Sequence, residues 1–142
     1  MFRPLVLGIT SLFIVTMLYV PVAKGESAIA QNIRLEQVER RIVASLSSGA
    51  EPSIELGLNE VVHWQEARGE LAIVVTNRRV FGISTSSERW SETELRLVEP
   101  DELGTSMSSR LAILSTGQRI VLFDSQRGAF VQFRYSMNDG VE

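Results

Sequence analysis

The sequence contains no cysteine, which excludes disulfides, thiolate metal sites and cysteine nucleophiles and leaves the redox compartment undetermined. His63 is the only histidine, so no metal site needing two imidazoles can be built from one chain. Lys24 is the only lysine among 14 basic residues; the others are Arg, a bias of codon usage or of Arg-specific anion recognition. The net charge is -3 with the charges scattered, so the basic stripe that meets nucleic-acid phosphates is missing. There is no glycine-rich phosphate loop, no calcium loop and no G-x-S-x-G nucleophile turn. Acidic residues are plentiful, but no pair lies in an apolar setting that would separate two carboxyl pKa values for acid–base work. These absences predict a protein without cofactor, metal or catalytic site.

What is present is one domain's worth of globular sequence: 142 residues, 44% hydrophobic and 22% charged. Residues 1–30 read as a targeting segment. Arg3 precedes an uncharged apolar run from Leu5 to Ala23, and Ala28-Ile29-Ala30 has the small-x-small form that signal peptidase accepts before Gln31. The same run, at 1.5 Å per residue, reaches about 28 Å as a helix and could instead stay as a transmembrane anchor. Under both readings Arg3 stays inside and the rest works on the far side of the membrane, periplasmic or secreted.

Residues 31–53 read as an amphipathic helix and a linker. Leu35, Val38, Ile42 and Leu46 recur at helical spacing, Glu36 and Arg40 form an i,i+4 pair, and Gly49 and Pro52 stop the element. Such a helix would pack on the domain that follows, or stand as a partner-binding stalk.

Residues 54–135 contain an internal duplication, followed by a short tail, 136–142. Leu71 to Glu94 aligns without gaps with Leu111 to Arg134 at a period of 40, including the segments LAIVVTNRRVFGIS and LAILSTGQRIVLFD. Each copy carries two apolar runs around a two-residue turn, Asn77-Arg78 or Gly117-Gln118, where Asn and Gly suggest a positive φ at the first turn position. The fold class is therefore mainly β: two tandem four-stranded antiparallel units. Their middle strands are apolar on both faces, so each unit needs cover on both sides. One face of each is met by the other unit. The outer faces call for the 31–48 helix, a second copy, or another protein.

Four strands repeated at about 40 residues resemble the blade of a β-propeller, although the signature residue pairs of particular propeller classes are missing and two blades do not close a ring. A duplicated sandwich or barrel is the competing arrangement. Separately, Val75-Thr76-Asn77-Arg78-Arg79-Val80-Phe81 after Asn59-Glu60-Val61-Val62 resembles the threonine-x-arginine hairpin of bacterial PH-like and GRAM-like domains. That resemblance implies a barrel closed by a C-terminal helix and a role in binding lipid or peptide at a membrane surface.

Five residues stand out as candidate contacts. Trp64, Trp90 and Phe130 could line a binding face, yet the correspondence of Trp90 with Phe130 across the repeat favours a shared stacking role. Arg79 and Arg119 also correspond, as strand-start arginines paired with a nearby acid or as anion contacts. The expected function is a non-enzymatic extracytoplasmic interaction module, an accessory subunit of a membrane or envelope complex whose partner is another protein or a second copy. The alternatives are the PH-like binder and a hydrolase using His63.

Overall fold

A computed structural model describes residues 31–95 and 103–134. The tail 136–142 and the apolar run from Leu5 to Ala23 lie outside the described residues. Among those described, no helix is long and apolar enough to cross a membrane.

The described chain is all β. It forms three antiparallel sheets that follow one another in sequence and share no strand. The first holds β1 (Ile33–Val38), β2 (Arg41–Leu46) and β3 (Ser53–Glu55) in that order. The middle sheet holds β4 (Val62–Arg68), β5 (Leu71–Thr76), β6 (Arg79–Ser84) and β7 (Ser91–Glu94). The last holds β8 (Gly104–Met107), β9 (Leu111–Ser115), β10 (Arg119–Asp124) and β11 (Ala129–Arg134), each strand beside its sequence neighbour. The two LAI segments are β5 and β9, equivalent strands, as the period of 40 predicts.

The expected helix over 31–48 is corrected to a hairpin. Ile33 pairs with Leu46, Leu35 with Ala44 and Gln37 with Ile42, and Glu39 takes a left-handed φ of 54° at the turn. The apolar residues therefore alternate by two within each strand, and the helical spacing arises only because the turn shifts the count between strands. Val38 decides between the two patterns: a helix would bury it beside Leu35 and Ile42, but it is 55% exposed.

This hairpin is a third copy of the repeat. The N–H of Ser47 bonds the carbonyl of Asn32, that of Thr85 bonds Glu70, and that of Ser125 bonds Arg110, one equivalent bond per unit. Between units, Asn32 N–H donates to Gly69 and Glu70 N–H to Ser109, so the unit-to-unit step is also repeated.

Side-chain packing follows this stack. On the forward face of the middle sheet, Leu71, Ile73, Val75 and Val80 pack against Ala112, Leu114, Val121 and Phe123 of the last sheet. On its rear face, Ala72 and Ile83 meet Ile33, Ala44 and Leu46, while Val74 and Phe81 meet Ile42 and Leu56. All six residues of β5 are buried, which is why its sequence shows no wet side. Three separate stacked antiparallel sheets are compatible with a general β-repeat resemblance, and among the described residues they do not form the single closed barrel that a PH-like domain implies.

The hairpin turns also differ from expectation. Neither Asn77 nor Gly117 has a positive φ. Instead the hydroxyl of Thr76 accepts the N–H groups of Arg78 and Arg79, and that of Thr116 accepts those of Gln118 and Arg119. A side chain closes the turn, so no left-handed residue is required.

Candidate interaction surface

Two regions could engage another molecule: the side of the stack carrying the β5–β6 turn, and the outer face of the last sheet. At the first, Glu60 is buried next to the start of β6. Its carboxylate accepts the Nε of Arg79 at 3.0 Å and Nη2 at 2.6 Å, the Thr76 hydroxyl at 2.7 Å and the Gly57 N–H at 2.9 Å. The Arg79 guanidinium, with the other donors, outweighs the effect of burial and lowers the Glu60 pKa to about 2. Arg79 is itself raised by the same pairing, and its Nη1 also reaches Glu92 at 2.9 Å.

An open cleft of about 550 Å³ lies here, lined by Gly57, Glu60, Arg78, Arg79, Glu92 and Thr93 among others. Its most buried charge is already neutralised. A guanidinium committed to two carboxylates and, through Nη2, to the Glu55 carbonyl has little left for an incoming anion.

Arg119 repeats this arrangement one unit later. Its Nη1 donates to Gln132 where Arg79 donates to Glu92, and its Nη2 donates to the Glu94 carbonyl where Arg79 reaches Glu55. Each arginine therefore ties its own sheet to the last strand of the preceding one. The aromatic candidates do not form one exposed face. Trp90 meets Phe81 edge-on at 6.4 Å and donates Nε1–H to the Pro52 carbonyl, against the first sheet. Phe130 lies 4.8 Å from Phe123 in the middle–last interface, and Trp64 packs at the edge of that same cluster. Trp90 and Phe130 do occupy corresponding stacking positions. His63, exposed on β4, sits where the β4–β5 register shifts between Val62 and Trp64.

The outer face of the last sheet is different. Strand pairing places Phe133, Ile120 and Ser115 in one row, Val131, Leu122 and Ile113 in the next, and Ala129, Asp124 and Leu111 in the third. Phe133 is 54% exposed, Val131 39% and Leu111 37%. At the other end of the stack, the outward face of the first sheet carries Arg34, Glu36, Val38, Arg41, Val43 and Ser45. One end of the stack is finished with charge and the other is left apolar.

The sequence predicts an apolar outer face on each unit that needs cover from residues 31–48, a second copy or another protein; the first sheet covers that of the middle unit, and the first unit itself was not counted. The alternation Ile33, Leu35 and Ile42, Ala44, Leu46 was the signal that could have revealed it.

No protein-family model matches the chain, and no curated protein matches it. What the molecule offers a partner is therefore judged from its own surfaces.

Proposed function

We propose that this chain is a non-enzymatic, extracytoplasmic interaction module that serves as an accessory subunit of a membrane or envelope assembly and docks through the outer face of its last sheet. One observation carries the proposal: six apolar side chains, Leu111, Ile113, Ile120, Leu122, Val131 and Phe133, share a sheet face against which no other sheet packs among the described residues, while both faces of the middle sheet are covered. A contiguous apolar sheet face on a small domain marks an association surface. Its extracytoplasmic setting is supported by the apolar run Leu5 to Ala23 behind Arg3.

The test uses full-length chain extracted from membranes in mild detergent. Parent protein should sediment in an assembly larger than one chain, and Val131→Lys with Phe133→Glu should release it while leaving thermal unfolding unchanged. Parent protein sedimenting as a single chain would overturn the proposal. The mass of the mature N-terminus, read from the same preparation, decides between cleavage before Gln31 and a retained anchor.

A further inference from the structure

We infer that the occupant of this face is the same face of a second copy, so that two chains associate back to back about a two-fold axis. This rests on the docking role proposed above and specifies its partner. Three features of the stack support it.

The first is what the face will not accept. In both covered interfaces, the central residue of the forward face is small. Ala44 shares a cluster with Ile83, and Gly82 lies under the Phe123 ring so closely that a Cβ there would stand 2.6 Å from its carbons. Pairing puts Leu122 at the corresponding point of the last sheet, opposite Ile113 as Gly82 is opposite Ile73 and Ala44 opposite Leu35. The socket is filled, so a further unit of the same kind cannot seat as the earlier ones do. Head-to-tail addition of a second copy would also bring the Arg34, Glu36 and Arg41 wall onto apolar side chains, burying charge without partners.

The second is charge. Asp124 is the only ionisable side chain among the three rows, and it is already engaged: Oδ2 lies 3.9 Å from Nε of Arg127, and Oδ1 accepts the Gln126 N–H. A face with no unengaged charge offers nothing to discriminate a charged partner, and it can meet its own copy without opposing like charges.

The third is area. Four strands at about 4.8 Å spacing and about five residues at 3.4 Å give a footprint on the order of 300 Å². Two such faces remove on the order of 600 Å² of accessible surface before side-chain relief is counted, the size of a weak, transient interface. The result is a dimer that dissociates on dilution, not an obligate one.

The absence of cysteine makes the test direct, because a single introduced thiol has no competitor. In full-length chain, Leu122→Cys and Ile113→Cys sit at the centre of the face and should each cross-link to themselves with a short bismaleimide. Ser45→Cys, on the outward face of the first sheet, should not. Leu122→Arg should halve the mass of the sedimenting species at a concentration where the parent is dimeric. If the parent sediments as a larger assembly but neither central cysteine links to its twin, the occupant is another protein and only this inference falls. If the parent sediments as one chain, the docking reading falls with it. Cross-linking of Ser45→Cys instead would place the contact on the opposite end and overturn the two-fold arrangement.

Discussion

Replacing Glu60 by glutamine isolates the most strongly shifted carboxylate among the described residues. The carboxylate side chain is 1% exposed and accepts four hydrogen bonds, two of them from Arg79, which is itself 28% exposed. Lowering a glutamate from 4.5 to about 2 corresponds to roughly 3 kcal/mol of native-state preference for the charged form. Because the folded value is depressed, that stabilisation is complete above pH 4.5 and is lost as pH falls toward 2. By pH 3 about half of it remains. Glutamine does not titrate and leaves Arg79 facing Glu92 alone. Urea unfolding followed by tryptophan fluorescence should therefore show Glu60→Gln destabilised by about 2–4 kcal/mol at pH 7. The gap between parent and variant should narrow to about 1–2 kcal/mol at pH 3. A loss under about 1 kcal/mol at pH 7, or a gap that does not change with pH, would refute the assignment of the buried ion pair as a stabilising element.

Other substitutions test the packing. Gly82→Ala sets a methyl group against the Phe123 ring and should cost about 1–3 kcal/mol in the same unfolding assay, with Phe123→Leu in the same chain recovering part of the loss. Phe123→Ala, emptying the middle–last interface, should cost about 3–5 kcal/mol. Glu39→Gly relieves a left-handed residue in the first hairpin and should raise stability by up to about 1 kcal/mol, seen as a higher melting temperature. Ser125 has a buried hydroxyl without a hydrogen-bond partner, so Ser125→Ala should be neutral or stabilising by about 1 kcal/mol; a clear loss would mean that the hydroxyl is engaged.

The parts of the fold that could be read from the sequence are those where local pattern and tertiary packing agree. LAIVVT and LAILST carry the same register, and the apolar character of β5 on both faces foretold a sheet covered on two sides. The first unit escaped because its hairpin is shorter in apolar content: Gln37 stands where Val75 stands in the middle sheet, and Arg34 and Glu36 face outward where Ala72 and Val74 are buried. With the outward face polar, the remaining apolar residues imitate a helical stripe. The turn chemistry was missed for a similar reason. Asn77 looked like a left-handed residue but spends its side chain on Val61 N–H and the Asn59 carbonyl, while Thr76 closes the turn. Pairing with a nearby acid, expected of both Arg79 and Arg119, holds for Arg79 with Glu60 and Glu92, whereas Arg119 meets the amide of Gln132. Their reach to the carbonyl of the preceding unit was not legible, since that contact spans 24 and 25 residues.

The peg formed by Phe123 in the hollow of Gly82 has a historical side. Once one module has surrendered a side chain to admit its neighbour's ring, neither position can drift alone. Ile83 stands in the middle sheet where Phe123 stands in the last, so copying the middle module once more would bring the wrong peg to that hollow. The repeated modules are therefore not interchangeable in their present form, and a second copy of the middle one would not seat on that hollow as the last module does.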